Sequence, residues 1–325
     1  MTARIISITD APLEALDAAV ALLQAGEVIA MPTETVYGLA ADATSPQAIT
    51  RIYETKGRPR FNPLICHMAD LAMAQEHAVF DPLSTRLAKA FWPGALTLIL
   101  PLKAQSPIHD LATSGLDTVG VRVPKGFAGD IIRAFGRPLA APSANTSGGI
   151  SPTSAAHVAA DLGDRIGLVV DGGPSGIGVE STIIKVEGER IRLLRPGGIA
   201  AEDIERVAGR AVERLEKAGA AIEAPGMLAS HYAPDAAMRL NVVEPRPGEA
   251  YLAFGSGAVP GVEALAFHKN LSPTGDLSEA AAHLFAYMKE ADASGAGVIA
   301  VAPIPMNGLG EAINDRLERA AAPRG

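Results

Sequence analysis

At 325 residues with 48% hydrophobic and 20% charged residues, 33 glycines and 24 prolines, the chain suits a turn-rich α/β protein with room for two domains. Its formal net charge of −8 argues against coating nucleic acid nonspecifically, which draws on many cations. The single cysteine, Cys66, excludes an internal disulfide framework and a multi-cysteine metal cluster.

The N-terminal run, broken by polar residues and Asp10, does not read as a signal peptide, and no stretch approaches the ~18 apolar residues of a membrane span. A cytoplasmic protein is the expectation.

Residues 3–8 read as a first strand, and Asp10-Ala-Pro12 opens a capped helix that runs on Leu13, Leu16, Ala19, Val20 and Leu23 and stops at Gly26. A buried strand at 27–31 empties into P-T-E-T-V-Y-G-L (32–39), a hydroxyl-rich turn. A helix over 46–55 leads to K-G-R-P-R (56–60), where Lys56, Arg58 and Arg60 alternate around Gly57 and Pro59. That pattern reads as an extended basic loop suited to a polyphosphate.

Leu64–His67 is a short strand whose neighbouring side chains face opposite ways. Cys66 and His67 therefore cannot share one site: Cys66 belongs to the core, and His67 suits either structure or a ligand. A helix at 84–91 ends at Trp92-Pro93-Gly94, with Trp92 as a packing anchor, and Leu96–Leu100 is the next strand. In the strand Thr118–Pro124 the valines at 119, 121 and 123 form a core face, leaving Arg122 on the face of Thr118 and Gly120 to meet solvent or an anion.

After a helix at 126–136, the strand from Pro138 ends in Pro142-Ser143-Ala-Asn145, where Ser143 and Asn145 offer a hydroxyl and an amide, or form an ordinary turn. A helix from Ser151 to about 162 and a strand at 168–171 lead into the glycine run 172–178. That run lacks the order of a phosphate loop and has no assigned contact. Thr182–Val186 and Ile191–Leu194 form a hairpin that brings Ser181 near Arg195.

A helix over 201–219 is followed by an aperiodic linker, and from Arg239 strands and helices alternate as in a small parallel α/β domain. The expected division is 1–200, a helix and linker at 201–237, and 238–325.

Hydroxyls, amides and cations dominate the strand exits, and no carboxylate pair or nucleophile triad stands out. Such a set fits positioning and charge neutralisation, as in nucleotidyl transfer.

The ordered motifs P-T-E-T-V-Y-G-L, K-G-R-P (56–59), P-S-A-N (142–145), E-S-T (180–182), R-P-G (195–197) and H-Y-A-P (231–234) resemble the YrdC family. G-D-L-S-E-A-A (275–281) and G-L-G-E-A-I-N-D-R-L-E-R-A (308–320) are similar to the accessory domain of its long form, threonylcarbamoyl-AMP synthase. The resemblance implies a twisted mixed α/β sheet with a deep concave site joined to a small Rossmann-like domain. It implies synthesis of threonylcarbamoyl-adenylate and pyrophosphate from L-threonine, bicarbonate or CO2 and ATP, with Mg2+ carried by the nucleotide. The product would feed the machinery that modifies the tRNA adenosine beside the anticodon, with no membrane and no stable tRNA binding required.

Carried over by motif, Thr35, His67, Arg122, Ser143 and Ser181 would contact threonine. Lys56, Arg58, Asn62, Thr118, Asn145, Ser151, Arg195 and Tyr232 would hold ATP. Lys56, Arg58, Ser143 and Asn145 are the expected catalytic set, with no metal ligand from the protein. Leu228-Ala229-Ser230 stand where long-form linkers often carry basic residues. The alternative is an RNA-binding module whose concave face presents Lys56, Arg58, Arg60, Arg122 and Arg195.

Overall fold

The computed structural model describes residues 2–214, 223–225, 231–259 and 261–323. The strands of the larger sheet are β1 (Arg4–Ser7), β2 (Ile29–Met31), β3 (Gly38–Asp42), β4 (Ile65–His67), β5 (Leu96–Pro101), β6 (Thr118–Arg122), β7 (Leu139–Ala140), β8 (Leu168–Asp171), β9 (Thr182–Glu187), β10 (Arg190–Arg195) and β11 (Val212–Arg214). They form one 11-stranded mixed sheet in the order β1-β8-β2-β3-β7-β4-β6-β5-β9-β10-β11. The second sheet contains β12 (Ala237–Arg239), β13 (Ala250–Ala253), β14 (Phe267–Asn270) and β15 (Val298–Val301), ordered β12-β15-β13-β14 and parallel throughout.

The helices of the larger unit are α1 (Pro12–Gln24), α2 (Pro46–Lys56), α3 (Leu71–His77), α4 (Pro82–Phe91), α5 (Asp110–Thr113), α6 (Phe127–Phe135), α7 (Ala155–Leu162) and α8 (Ala201–Ala208). They cover both faces of its sheet, and strand alternation sorts the side chains between them. Val169 of β8 joins Ile49, Leu87 and Ile204 in one core, whereas Leu168 and Val170 join Ala19, Ile131 and Phe135 in the other. In the smaller unit α9 (Leu277–Ala293) and α10 (Leu309–Ala321) pack Leu284, Met288, Ile313 and Leu317 against Leu252, Ile299 and Val301. Val36, Ile150 and Val179 of the larger unit belong to that same cluster, so the two units share a core. Among the described residues no helix is long and apolar enough to cross a membrane.

Several local expectations are corrected. Asp10 does not cap α1: Ala11 occupies the cap position with no side-chain bond. Helix α3 had no apolar stripe to announce it, and its start is marked by Asp70, whose carboxylate accepts from Met73 N at 2.8 Å. The helix expected over 201–219 ends at Ala208, where Gly209 adopts φ +71 and closes it, and β11 follows. The remainder of that stretch and Leu228-Ala229-Ser230 lie outside the described residues.

Lys56 is not in an extended loop. It is the last residue of α2, a helix capped by Ser45 and closed by Gly57 in the left-handed region, and it is 1% exposed.

Candidate active site

The P-T-E-T turn leaves β2 and folds on its own hydroxyls. Thr33 Oγ1 donates to Val36 O at 2.6 Å and lies 2.8 Å from Thr35 Oγ1. Beyond it, Leu39 N donates to Pro142 O at 2.7 Å and Ala144 N to Tyr37 O at 2.8 Å, so the P-S-A-N segment runs beside the turn with Ser143 opposite Gly38.

The glycine run braces the turn from outside. Ser175 Oγ donates to Thr33 O at 3.0 Å, Ile177 N to Glu34 O at 2.8 Å, and Tyr37 Oη to Gly173 O at 2.7 Å. A Cβ on Gly172 would lie 2.7 Å from Pro32 Cβ, which accounts for glycine there. Its role is scaffolding.

Strands β4 and β6 run parallel with His67 beside Arg122. Arg122 Nε donates to Gly94 O at 3.1 Å, and its Nη2 lies 2.8 Å from Glu34 Oε2. Burial, then the Arg122 charge, holds the His67 imidazole down at about 3, so the ring is neutral at pH 7. Cys66 faces the core, as alternation requires, and burial raises its thiol to about 12. The hairpin β9–β10 delivers Arg195 onto Ser181, with Nη2 at 2.9 Å from Ser181 O and 3.2 Å from Ser181 Oγ, and Thr97 Oγ1 lies 2.8 Å from the same hydroxyl.

These side chains converge on one cleft. Thr35, His67, Arg122, Ser143 and Ser181 line it, together with Arg58, Arg195 and Tyr232. The remaining expected residues lie off the lining. Lys56 sits behind the P-S-A-N loop and donates Nζ to Ser143 O at 2.6 Å and to Asn145 O. Asn62 and Asn145 are buried, each with its Oδ1 unpartnered among the described residues.

Ser151 Oγ is committed to Glu180 Oε1 at 2.5 Å. Thr118 opens β6 at the end opposite Arg122, on the side where Arg58 Nη2 donates to Pro63 O at 3.0 Å. At the rise of a strand it stands about 13 Å from Arg122, off the cleft lining.

Sequence reasoning missed Glu180, His231 and Pro225 as cleft residues. The H-Y-A-P motif signalled His231, whose ring packs 4.1 Å from Tyr232 and which burial drives down to about 3. Tyr232 takes φ +63, stacks on Phe285 at 5.4 Å and is 1% exposed. The E-S-T motif contained Glu180, but nothing local gave it a role, because its partner Arg316 lies on α10.

Lys56, Arg58 and Arg195 make no ion pair with a carboxylate among the described residues, yet all three are buried. Burial pulls the Arg58 guanidinium down to about 10, with Tyr53 opposing and Arg195 adding to the fall, and burial also lowers Lys56 and Arg195. Such uncompensated buried cations are poised for a polyanion small enough to enter. The same burial weighs against the RNA-cradle alternative, since of the five cations it invoked only Arg60 is exposed.

Residues 21–197 match the family model described as "Telomere recombination" (Sua5, YciO and YrdC), and residues 199–322 match "Threonylcarbamoyl-AMP synthase, C-terminal domain". The chain is 41% identical to the threonylcarbamoyl-AMP synthase of Bacillus subtilis over 94% of this chain and 92% of the relative. It is 40% identical to that of Pyrococcus abyssi, with 94% of each covered. The crystal structure of P. abyssi Sua5 complexed with L-threonine superposes with a TM-score of 0.84 at 39% identity, covering 94% of both chains. With both domain models matched in sequence and the fold matched along nearly the whole length, the chain belongs to the threonylcarbamoyl-AMP synthase family, in its long two-domain form.

Proposed function

We propose that the chain is a nucleotidyltransferase that joins L-threonine, bicarbonate or CO2 and ATP into threonylcarbamoyl-adenylate, releasing pyrophosphate and, from bicarbonate, water. The observation that carries the reading is the placement of three buried, unneutralised cations beside a hydroxyl-lined pocket that also holds Arg122. Relatives bearing this activity in their names support it along the full length.

In this reading Arg122 takes the amino-acid carboxylate, while Thr35, Ser143, Ser181 and neutral His67 surround the rest of threonine. The amine captures CO2 as a carbamate, and a carbamate oxygen attacks the α-phosphorus as pyrophosphate departs. Arg58 and Arg195 face the triphosphate from the lining. Lys56 has spent two of its three N–H donors on the Ser143 and Asn145 carbonyls and keeps the third for a phosphate oxygen. Asn62, Thr118, Asn145 and Ser151 border the nucleotide end, and Tyr232 covers it.

Among the described residues no group of three His, Cys, Asp or Glu is placed to hold a metal ion. The donor set of the cleft, hydroxyls and guanidinium groups with Glu180 already bound on both oxygens, fits Mg2+ held by the phosphates of ATP. That ion would neutralise charge on the triphosphate. The product would pass to the tRNA threonylcarbamoyl-transfer machinery of the cytoplasm.

The test is pyrophosphate release from the purified chain with ATP. Release is expected only when threonine and bicarbonate are both present, and release indifferent to threonine would overturn the reading.

A further inference from the structure

Arg316 lies on α10, 136 residues beyond Glu180, yet it is 0% exposed and reaches the wall of the cleft. Its Nε donates to Glu180 Oε2 at 2.9 Å, and its Nη1 donates to Pro196 O at 2.7 Å and to Asp315 Oδ2 at 2.9 Å. The guanidinium carbon stands 5.4 Å from the centre of the Tyr232 ring. One side chain of the C-terminal domain therefore touches the E-S-T segment, the R-P-G segment and the linker.

We propose that Arg316 is a positioning residue of the active site: by gripping Glu180, the Pro196 carbonyl and the Tyr232 ring together, it makes docking of the C-terminal domain set the cleft wall and seat the linker against it. The inference rests on the functional reading above for the identity of the nucleotide.

Three features carry the argument. Glu180 is clamped from both sides, since Ser151 Oγ donates to its Oε1 at 2.5 Å while Arg316 holds Oε2. Burial would raise this carboxyl, but Arg316, then Arg195, and the Ser151 hydrogen bond keep it ionised, at about 2. Second, the two wall segments touch backbone to backbone. Gly198 N donates to Glu180 O at 2.9 Å, and a Cβ on Gly197 would lie 2.4 Å from Glu180 O, so a shift of Pro196 is a shift of Glu180 and Ser181.

Third, Tyr232 is held at φ +63, a conformation a non-glycine residue keeps only when its surroundings fix it. Phe285 and Arg316, both from the C-terminal domain, are among those surroundings, and on the other side Ala233 N donates to Gly148 O at 2.8 Å. The geometry demands arginine, because a planar fork serves an acceptor at each end and presents its face or edge to a ring, which an ammonium cannot do at once.

The experiment is steady-state pyrophosphate release by the full chain, with Arg316→Gln and Arg316→Lys beside Arg214→Ala. The last variant breaks a second cross-domain pair, in which Arg214 Nε meets Glu311 Oε1 at 2.8 Å with the arginine side chain 49% exposed. Arg316→Gln is expected to raise KM for ATP about tenfold or more, with Arg316→Lys between it and the unaltered enzyme. Arg214→Ala is expected to change neither constant.

An unchanged KM for ATP in the Arg316 variants, or a fall in kcat alone that tracks the folded fraction, would refute the positioning role. If Arg316→Gln does not fold, Arg316→Lys decides by the same criterion. Should the unaltered chain release no pyrophosphate, the functional reading fails instead. Calorimetric binding of a nonhydrolysable ATP analogue then decides for Arg316: tenfold weaker binding in the variant supports the role and equal binding ends it.

Discussion

Glu34 Oε2 lies 2.8 Å from Arg122 Nη2, pairing the P-T-E-T turn with the end of β6 while both side chains are nearly buried. The approach is close, but its angle leaves Nη2 without a hydrogen-bond acceptor, and Glu34 Oε1 has no donor among the described residues. A ligand carboxylate entering here meets a cation with an uncommitted N–H and an anion that can face the ligand's amine. Arg122→Gln should therefore raise KM for threonine about ten- to hundredfold, the loss expected for a hydrogen bond to a charged group. Glu34→Gln should leave Arg122 open to other anions, so that chloride competes with threonine. Titration of each variant with threonine at several chloride concentrations checks both, and equal chloride sensitivity in Glu34→Gln and the unaltered enzyme would remove the pair from substrate binding.

Lys56 supports the loop it serves. Because Nζ holds the Ser143 and Asn145 carbonyls from behind, Lys56→Ala strands one buried and one half-buried acceptor and should cost about 1–3 kcal/mol of stability as well as activity. A solvated basic loop would tolerate this change without cost to the fold, but the Lys56 side chain is 1% exposed. Urea unfolding of the variant decides: a midpoint within error of the unaltered chain would contradict the supporting role.

What was legible in the sequence was what local periodicity encodes. Two-residue alternation put Cys66 in the core and Val119, Val121 and Val123 opposite Arg122, and it turned His67 the other way from Cys66, leaving open whether it was structural or met a ligand, a choice settled only by its place on the cleft lining. Hairpin pairing brought Arg195 to Ser181. The errors occurred where a local signal had two readings. Lys56 next to Gly57 reads as loop, but the glycine is the left-handed cap that lets the helix run one residue further. Glu180 and Arg316 were out of reach for another reason: a pair separated by 136 residues leaves no spacing to read. The glycine run became intelligible only once its neighbours were known, because close backbone approach has no sequence period.

Acid should destabilise the protein in two stages. Burial depresses His67 and His231 to about 3, below the usual 6.5, so the unfolded chain takes up their protons first. Their stability is complete above 6.5 and is lost as pH falls from there toward 3. Glu180, at about 2 against 4.5, adds a second loss between those values as its pairing with Arg316, under the added field of the Arg195 charge, is titrated away. Unfolding midpoints should hold steady from pH 8 to about 6.5 and fall from there to pH 3, and His67→Asn should flatten the part between 6.5 and 4. A pH-independent midpoint from 7 to 5 in the unaltered chain would show that neither imidazole is buried neutral.

At Gly178 the backbones of the two units approach closely. The residue has φ +79, and a Cβ placed on it would lie 2.3 Å from Ala281 O and 2.5 Å from Ala282 Cα on α9. These are backbone atoms, so they cannot rotate aside, and Gly178→Ala must push α9 away or distort the loop that carries Val179 into the shared core. Since Tyr232 stacks on Phe285 of the same helix, the displacement should reach the cleft and weaken nucleotide binding along with stability. Gly176→Ala is the matched control, because its Cβ would meet nothing within 4 Å and its φ lies outside the left-handed region. The expected pair of results is a lowered melting temperature and raised KM for ATP in Gly178→Ala, with both unchanged in Gly176→Ala. If Gly178→Ala melts and turns over as the unaltered chain does, the two units are not packed at this distance, and the coupling through Phe285 and Tyr232 loses its basis.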